Sequence, residues 1–563
     1  MRMIEKPWLK SYPSDVPEHI NLDEYASVAA LFEEAVKNYS DKVAFVSMGA
    51  EITYGELDDY SMAFAKWIQS TGKFQQGDRI ALMMPNLLQY PIAVFGVLRA
   101  GLVVVNTNPL YTERELQHQL VDSGAKGIVI VENFAHTLAD VISETPLEMV
   151  VTTRVGDLLG FPKSLLINTV VKYVKKMVPA FSLPGSITFS EAVASGRQQQ
   201  NLNAVSLGHQ DIAFLQYTGG TTGVAKGAML THGNMVANML QAKAWLAPAN
   251  IQEGKEIIIT ALPLYHIFAL TANCLVYASI GAKNVLILNP RDLPAFVKEL
   301  GKHKFTAFTG VNTLFNALLN TPGFDKLDFS ALSITLGGGM AVQRTVAEEW
   351  KTTTKCPLIE AYGLTETSPA ACINPLTATE YNGAIGLPIS STEACIKDPE
   401  NNMLPVGDRG ELCIRGPQVM KGYWQREEAT SEVIDSDQWL HTGDVAIMDE
   451  HGYFKIVDRL KDMILVSGFN VYPNEIEDVV MLHPDVLEVG AIGIPDEHSG
   501  EVVKVYVVAK NKNLTEESLR AHCQENLTGY KRPKQIAFVD ELPKSNVGKI
   551  LRRELRNLDE QAG

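Results

Sequence analysis

The sequence is poor in the features that mark membrane-spanning, nucleic-acid-binding and disulfide-bonded proteins. It contains no uninterrupted run of about 18 apolar residues, so no transmembrane helix is expected. A formal net charge of −16 leaves no broad cationic surface for binding nucleic acid. The six cysteines are widely scattered and none forms a C-x-x-C pair. This spacing argues against a zinc site or a redox pair and favours reduced thiols in the cytoplasm.

Length and composition indicate an ordinary globular protein of several units. The 563 residues are too many for one core and predict roughly three or four folding units. Apolar residues make up 46% and charged residues 20% of the chain, as in typical globular proteins. The first seven residues lack the apolar core of a secretion signal, so we expect no leader peptide.

Residues 217–227 are the most informative segment of the chain. They contain four glycines, three threonines and one lysine, and they follow an apolar run, residues 212–215, that predicts a buried strand. Backbone N–H groups of a glycine-rich turn can surround phosphate oxygens, and Lys226 adds a point charge. The segment fails the Walker pattern, because Ala225 precedes Lys226 and Gly227 follows it. We therefore expect a nucleotide triphosphate site of another kind, with a flexible surface loop as the alternative.

The order of predicted elements indicates an α/β protein. Strands predicted at residues 79–84 and 127–131 alternate with helices predicted at residues 27–39 and 88–98, which implies parallel sheets covered on both faces. Near residue 400 the pattern changes to short strands separated by turn residues. We predict a large N-terminal domain of parallel α/β sheets, residues 1–457, which includes a β-rich subdomain at about 385–457. A small α+β C-terminal domain, residues 458–563, would follow.

Three further segments have residues suited to a nucleotide. Three consecutive glycines, Gly337, Gly338 and Gly339, would let a flat base lie against bare backbone. Tyr362 can stack on a purine, and Glu366 is a hard oxygen ligand suited to Mg²⁺. Asp444 follows a Thr-Gly turn and could accept both hydroxyls of a ribose. Taken singly, each has an ordinary alternative: the three glycines could be a flexible turn, Glu366 a surface carboxylate and Asp444 a turn residue.

Two segments near the C-terminus add charge. Residues 458–473 begin with alternating charges, including Arg459 and Lys461, at the predicted domain junction. In residues 543–549, Gly548 allows a tight bend and Lys549 would stand at the tip of a loop that can reach a distant site. The alternative for residues 458–473 is a solvated linker, and the alternative for Lys549 is an ordinary exposed lysine.

In this order and spacing, the six segments resemble the adenylate-forming superfamily, which includes acyl- and aryl-CoA ligases, luciferases and peptide-synthetase adenylation domains. The resemblance covers essentially the whole chain. Within the superfamily, residues 439–462, 312–316 and 542–555 are most similar to the bacterial long-chain fatty-acid–CoA ligases. The resemblance implies that ATP, Mg²⁺ and coenzyme A are used in two half-reactions. In the first, a carboxylate attacks the α-phosphorus of ATP; in the second, the CoA thiol displaces AMP from the acyl-adenylate.

The resemblance also implies roles for single residues. Those implied to be catalytic are Lys549, Glu366, Thr218 and His266, with Thr218 and Glu366 as the ligands of Mg²⁺. Those implied to bind ATP are Tyr217, Thr218, Gly219, Gly220, Thr221, Thr222, Gly223, Lys226, Gly337, Gly338, Gly339, Tyr362, Gly363, Leu364, Thr365, Asp444, Arg459 and Lys461. The C-terminal domain is implied to be mobile and to rotate about Asp458, so that Lys549 leaves before CoA enters. A basic cluster at Lys531, Arg532 and Lys534 would meet the CoA phosphates.

The substrate is indicated by residues 263–270 and 272–277, which are largely apolar and contain no acid. An amino-acid substrate is disfavoured, because its buried ammonium group would be unpaired; ordinary core packing is the alternative explanation. Leu270 stands where some long-chain relatives have a tryptophan gate. The leading hypothesis is a long-chain fatty-acid–CoA ligase that feeds fatty-acid degradation. The alternatives are a ligase for medium-chain or aryl acids, a ligase with a carrier-protein acceptor, and a fatty-acid uptake or binding protein without turnover.

The basic segment at residues 161–181 bears on location. It holds Lys163, Lys172, Lys175 and Lys176, contains no acid, and is predicted to place the last three lysines on one helical face. Such a helix could lie on an anionic membrane, which would place a cytoplasmic protein at the inner face of the cytoplasmic membrane. The alternative is a surface helix that buries its apolar side in the protein. A homodimer is left open.

Overall fold

The structure is a computed structural model that describes residues 6–218, 225–496 and 498–562, with side chains to residue 559. The described residues form 25 strands and 16 α-helices. The strands are β1 Val43–Ser47, β2 Ala50–Thr53, β3 Arg79–Met83, β4 Val103–Asn106, β5 Gly127–Val131, β6 Met149–Thr153, β7 Ile187–Thr188, β8 Ile212–Thr218, β9 Lys226–Thr231, β10 Ile257–Thr260, β11 Lys283–Leu286, β12 Ala307–Gly310, β13 Ile334–Gly337, β14 Leu358–Gly363, β15 Ala370–Ile373, β16 Leu387–Pro388, β17 Glu393–Lys397, β18 Arg409–Arg415, β19 Leu440–Met448, β20 Phe454–Arg459, β21 Ile464–Val466, β22 Phe469–Val471, β23 Val486–Asp496, β24 Gly500–Ala509 and β25 Gln535–Phe538. The helices are α1 Val28–Tyr39, α2 Tyr54–Ser70, α3 Gln89–Arg99, α4 Glu113–Ser123, α5 Ala135–Val141, α6 Lys163–Thr169, α7 Phe189–Arg197, α8 His232–Trp245, α9 Val276–Ser279, α10 Leu293–Leu300, α11 Asn312–Leu319, α12 Arg344–Thr354, α13 Glu427–Ser431, α14 Pro473–Met481, α15 Glu516–Asn526 and α16 Arg552–Ala562.

Two large sheets form the body of the N-terminal part. One has nine strands in the order β16-β15-β14-β13-β12-β10-β11-β1-β2, and the other has seven in the order β7-β6-β5-β3-β4-β8-β9. Their central strands run parallel, and antiparallel pairs lie at the edges. All five residues of β5 are buried, as expected for a parallel strand covered on both faces.

Local sequence signals account for where several helices begin. Ser27 caps α1 by accepting a hydrogen bond from the Ala30 N–H at 3.1 Å. Thr53 caps α2 and forms a reciprocal capping box with Glu56, so this helix begins just before Gly55. The large core cluster beneath these helices includes the parallel-stacked rings of Phe32 and Phe95, whose centroids are 3.9 Å apart.

Two smaller sheets follow. The strands β17-β18-β19-β20 form an antiparallel sheet that corresponds to the predicted β-rich part. The C-terminal unit, residues 464–562, is built on the sheet β22-β21-β24-β23, with β25 paired to β24, and has its own apolar core. The predicted α/β architecture, with large parallel sheets and a smaller C-terminal unit, is confirmed. The domain boundary at residue 458 stays a prediction.

The basic segment at residues 161–181 differs from its prediction. The α-helix α6 ends at Thr169, a π-helical turn continues to Val174, and Lys176 has a left-handed backbone with φ 51°. The prediction that Lys172, Lys175 and Lys176 share one face of a regular helix is therefore wrong. The apolar side chains of this segment are largely exposed. Among the helices of the described residues, none combines the length and apolar character needed to cross a bilayer.

Candidate active site

Two loops predicted to frame the base lie side by side. They follow β13 and β14, which are adjacent and parallel and pair Gly337 with Glu360. Because the carboxyl ends of parallel strands meet at one sheet edge, the glycine triplet and residues 362–366 come together there. Gly339 has φ 78°, and a side chain on Gly363 would collide with the Pro369 carbonyl oxygen. These glycines allow the backbone to follow paths that other residues would block.

Leu364 and Thr365 form the turn after Gly363. The Leu364 N–H donates to the Pro369 carbonyl at 3.1 Å, and a 3₁₀ turn spans Thr365–Thr367. This turn places Glu366 at the edge of the sheet, half-buried.

Asp444 is held rigidly at the position predicted for a ribose contact. Its Oδ2 accepts from the Tyr362 hydroxyl at 2.6 Å, and its Oδ1 lies 3.1 Å from Arg459 Nε. The turn before it is fixed by Glu411, whose Oε1 accepts from the Gly443 N–H at 2.9 Å. Burial and the adjacent Asp444 carboxylate raise the pKa of Tyr362 well above its usual value, so its hydroxyl stays a donor. The carboxylate therefore faces the site in one orientation.

The phosphate side of the site is only partly described. Tyr217 and Thr218 end β8, and Lys226 begins β9 opposite Thr218. The predictions for Gly219, Gly220, Thr221, Thr222 and Gly223 lie outside the described residues. Lys226 Nζ lies 5.1 Å from the centroid of the Tyr423 ring, within the range of a cation–π contact.

Tyr423 is a site residue that the sequence analysis missed. Its hydroxyl donates to Glu366 Oε1 at 2.7 Å while its ring faces the Lys226 ammonium, so it links the predicted metal ligand to the predicted phosphate lysine. The neighbouring backbone reinforces the link: the Met420 N–H donates to the Glu366 carbonyl and the Trp424 N–H to the Gly227 carbonyl, each at 2.8 Å. The Gly-Tyr-Trp sequence at 422–424 was the available signal.

The oxygen donors of Glu366 and Thr218 are of the type that suits a magnesium ion. Glu366 offers carboxylate oxygens and Thr218 a hydroxyl, which are the hard ligands that Mg²⁺ prefers. Within the part of the chain that the structure describes, no lysine, arginine or histidine forms an ion pair with Glu366, and the Tyr423 hydroxyl donates to its Oε1.

Lys549 lies close enough to His266 to influence the protonation of that histidine. Loss of water around Lys549 and the nearby Arg459 guanidinium lower the pKa of this lysine to about 8. Loss of water around the imidazole, and then the Lys549 charge, lower the pKa of His266 to about 4. At neutral pH the lysine is mainly cationic and the histidine neutral. The fold thus brings together two residues that are 283 positions apart in the sequence.

The predicted hinge residue lies in a buried ionic network. Asp458 is 0% exposed; its Oδ1 accepts from Arg552 Nη1 at 3.0 Å and its Oδ2 from the Asn474 N–H at 2.8 Å. Arg552 also donates to Glu477 at 2.8 Å and lies 3.6 Å from Asp462. The side chain of Asp458 is thus bound to the C-terminal unit, whereas its backbone pairs with β19 of the preceding sheet.

Other predicted charges are less engaged with this centre. Lys461 is exposed beside Arg459. In the cluster predicted for CoA phosphates, Lys531 forms an ion pair with Glu475 at 2.6 Å, and Arg532 donates to the Leu527 carbonyl at 2.8 Å. An anionic ligand there would have to compete with these partners.

Comparison with known proteins gives the family. Residues 32–424 match the model of the AMP-binding enzyme family, and residues 475–549 match that of the AMP-binding enzyme C-terminal domain. The long-chain-fatty-acid–CoA ligase of Escherichia coli O6:H1 is 58% identical over 554 residues, covering 98% of both chains. The enzyme of the same name from Haemophilus influenzae is 54% identical over 556 residues, again covering 98% of both chains.

A solved structure supports the fold independently. The anthranilate CoA ligase AuaEII in complex with anthranoyl-AMP superposes with a TM-score of 0.85 at 24% identity, covering 96% of this chain and 99% of the other. This likeness concerns the architecture alone. From the family models and the relatives, the chain belongs to the AMP-binding enzyme family, in the group of the long-chain-fatty-acid–CoA ligases.

Proposed function

We propose that this chain joins long-chain fatty acids to coenzyme A in two steps at the site built around Asp444. In the first, a carboxylate oxygen attacks the α-phosphorus of ATP, the bond to the β-phosphate oxygen breaks, and pyrophosphate leaves. In the second, the thiol sulfur attacks the acyl carbon, AMP leaves with the anhydride oxygen, and the thiol proton is released. The observation that carries this proposal is the Asp444 carboxylate held by Tyr362 and Arg459, near enough to Lys549 for the charges of Asp444 and Arg459 to act on its pKa.

The described contacts support a division of roles in the first step. Asp444, oriented by Tyr362 and Arg459, would take the ribose hydroxyls. The Lys549 ammonium would neutralise charge between the carboxylate and the α-phosphate, and positioning by such fixed charges is the main source of catalysis in phosphoryl transfer. His266, which is neutral at pH 7, can donate one hydrogen bond near the fatty-acid carboxylate without adding charge.

Magnesium would be held by Glu366 and Thr218, with Tyr423 orienting the Glu366 carboxylate. A bound Mg²⁺ would supply positive charge against the phosphate oxygens of ATP. Lys226 would face the departing pyrophosphate, since Tyr423 lies beside both its ammonium and Glu366.

Rotation of the C-terminal unit would separate the two steps. In this arrangement the Lys549 ammonium lies near Arg459 and Asp444, and it would have to leave before the thiol of CoA could reach the acyl carbon. Asp458 is a suitable pivot, because its backbone pairs with β19 while its side chain is fixed to Arg552. The linker would therefore turn beside a residue anchored to the moving unit.

The residues after His266 support a fatty acyl chain as the substrate class. Residues 269–275 form a π-helical turn, and Leu270 and Cys274 are fully buried. With no acid in residues 263–277, an acyl chain is a better fit than an ammonium-bearing substrate. Each buried methylene contributes about 0.8 kcal/mol, which favours long chains wherever the tunnel admits them.

The role of Lys549 is tested by separating the half-reactions in Lys549→Ala. We expect loss of most ATP–pyrophosphate exchange with oleate, and retained thioester formation from supplied oleoyl-adenylate. The exposed Lys512 of the same unit provides the matched control, Lys512→Ala, which should change neither step. Unchanged exchange in Lys549→Ala would remove the proposed role.

The proposed substrate class is tested by CoA-dependent AMP release with octanoate, oleate and cinnamate. Preference for oleate supports the proposal, and preference for cinnamate favours an aryl-acid ligase. Oleate binding without AMP release under any condition would favour an uptake or binding protein. Turnover with a carrier protein but not with CoA would change the acceptor.

The exposed apolar side chains of residues 161–177 support contact with an anionic membrane. Phe161 is 89% exposed and Tyr173 is 69% exposed, and three of the lysines lie beside them in a stretch without acids. Met177 extends this surface to a shallow pocket of about 300 Å³ that it shares with the exposed Leu110. Amphipathic surfaces with lysines and aromatic residues bind the interface of anionic bilayers.

Sedimentation with vesicles tests this surface. We expect binding to vesicles of phosphatidylglycerol and phosphatidylcholine, weakened by salt and by the pair Phe161→Ser and Tyr173→Ser, but retained in the control Met403→Ser at another exposed apolar site. Equal binding of all variants would exclude residues 161–177 as the membrane surface.

A further inference from the structure

The helix α11 carries a cluster of polar residues that has no role in the chemistry described so far. Asn312, Thr313 and Asn316 are each at least nine-tenths buried, at 3%, 9% and 8% exposure. We call these three residues the α11 latch. Buried side chains of this type are expected to have specific partners. The partners of two of them lie across the interface, in the C-terminal unit.

Thr313 contacts the loop of the catalytic lysine. Its hydroxyl donates to the Gly548 carbonyl at 2.8 Å, one residue before Lys549. The approach is close enough that a side chain on Gly548, which has φ 84°, would lie 2.8 Å from Thr313 Oγ1 and 3.2 Å from Val311 Cγ2. The start of α11 therefore packs closely against the loop that carries Lys549.

The loop that carries Lys549, residues 545–549, is held in shape by hydrogen bonds between its two ends and can move as one body; we call it the lysine loop. The Ser545 N–H donates to the Lys549 carbonyl at 2.7 Å, and the Lys549 N–H donates to Ser545 Oγ at 3.1 Å. Because the loop holds its own shape, its position is set by what it rests on. A hydrogen bond to Gly548 thus fixes the start of the Lys549 side chain directly.

Asn316 makes the second contact with the C-terminal unit. Its amide Nδ2 donates to the Leu487 carbonyl on β23 at 2.9 Å. Asn320, one turn later, donates to Asn316 Oδ1 at 3.1 Å and so orients the amide. Both contacts across the interface end on main-chain carbonyls, which water can satisfy when the unit moves away.

Asn312 connects the same helix to the nucleotide loop. Its Nδ2 donates to Gln343 Oε1 at 2.9 Å, and its Oδ1 accepts from the Gln343 N–H at 3.0 Å. Gln343 follows the glycine triplet by four residues, so α11 is fixed to the loop that frames the base. The start of α11, which contacts the lysine loop, is therefore held in a fixed position relative to the predicted nucleotide site.

We propose that Thr313 and Asn316 are positioning residues for adenylate formation: they hold the Lys549 loop over the nucleotide and release it before thioester formation. This inference rests on the proposed two-step function. Two neutral hydrogen bonds suit the task, because each shifts a two-state equilibrium by only about a factor of ten or less. The closed arrangement is favoured, yet the unit can leave in every catalytic cycle.

The test compares Thr313→Val with Thr313→Ser, which retains the hydroxyl. We expect Thr313→Val to slow ATP–pyrophosphate exchange with oleate about tenfold, the effect of one lost hydrogen bond at a buried carbonyl, and to leave thioester formation from supplied oleoyl-adenylate unchanged. Thr313→Ser should restore exchange. Thr321→Val is the matched control, because the Thr321 hydroxyl donates only within its own segment, to the Ala317 carbonyl at 2.7 Å. Equal loss in both half-reactions, or equal loss in Thr313→Ser, would overturn the proposal.

A second measurement separates failure of the latch from failure of the proposed function. Spin labels at Lys37→Cys and Lys512→Cys, on exposed positions of the two parts, report their separation without any catalysis. Adding Thr313→Val and Asn316→Leu should broaden the distance distribution or add a second population. An unchanged distribution would refute the latch even if the wild type forms oleoyl-adenylate. If the substitutions change the distance distribution but the wild type forms no adenylate, the contacts of the α11 latch are supported and the proposed two-step function is rejected.

Discussion

Glu360 gives a prediction about stability that the structure makes quantitative. This carboxyl group is 7% exposed at the end of β14, where its Oε1 accepts from the Val342 N–H at 3.1 Å. Burial, and then the charge of Asp478 from the C-terminal unit, raise the pKa of Glu360 from 4.5 to about 8, against the opposing effects of the Val342 hydrogen bond and of Lys455. At neutral pH the folded protein therefore keeps Glu360 protonated, whereas the unfolded chain ionises it.

The sign of the pH dependence follows from this difference. Because the folded pKa is raised, the stability that the protonated group contributes is fully present below pH 4.5 and is lost as the pH rises to about 8. One pKa unit corresponds to about 1.36 kcal/mol, and the slope flattens as the pH reaches the folded pKa, so roughly 2 kcal/mol of stability is lost between pH 6 and pH 8. Above this window Glu360 is ionised in both states, and its contribution no longer changes.

The substitution Glu360→Gln isolates this term. Glutamine keeps an oxygen acceptor for the Val342 N–H and stays neutral at every pH. Urea unfolding at pH 6 and pH 8 should show a free-energy loss that is roughly 2 kcal/mol smaller in Glu360→Gln than in the wild type. Glu349→Gln, at an exposed glutamate on α12, is the control and should follow the wild type. Parallel pH dependences of Glu360→Gln and the wild type would refute a protonated Glu360.

Three further predictions concern the site and the hinge. Because the Lys549 ammonium has a pKa of about 8, kcat/KM for ATP in adenylate formation should fall about tenfold per pH unit above that value, and a flat profile to pH 9.5 would contradict this. Tyr423→Phe removes the donor that orients Glu366, so the Mg²⁺ concentration for half-maximal pyrophosphate exchange should rise about tenfold, and an unchanged requirement would exclude that role. Arg552→Leu leaves the acids around Asp458 unpaired and should cost about 3–5 kcal/mol in the unfolding of the C-terminal unit, measured by calorimetry, whereas an unaltered transition would contradict the buried network.

The helices and parallel strands could be predicted because their signals are local. Ser27 caps α1 as its sequence indicates, and residues 127–131 form the predicted strand β5, since an apolar run of that length suits a buried parallel strand. The prediction for the basic segment at residues 161–181 was wrong for a physical reason. Its lysines had the spacing of one helical face, but the regular helix ends at Thr169, and spacing alone does not show where a helix stops.

The site was only partly predictable. Gly339 and Asp444 stand out in the sequence, because positive-φ turns and ribose contacts need particular residue types at particular positions. Tyr423 and Thr313 did not, because an aromatic after a glycine and a threonine on an apolar helix are common anywhere. Their roles depend on what faces them across the fold.

By itself, the sequence determined the α/β class, the six segments that carry the family resemblance, and the residue types available for nucleotide chemistry. These follow from periodicity, turn chemistry and spacing, which act over a few residues. Only the tertiary structure decided that Lys549 lies near His266, that Asp458 is buried against Arg552, and that α11 contacts the loop that carries Lys549. Burial, shifted pKa values and contacts across an interface depend on which distant segments pack together, and no local pattern encodes that choice.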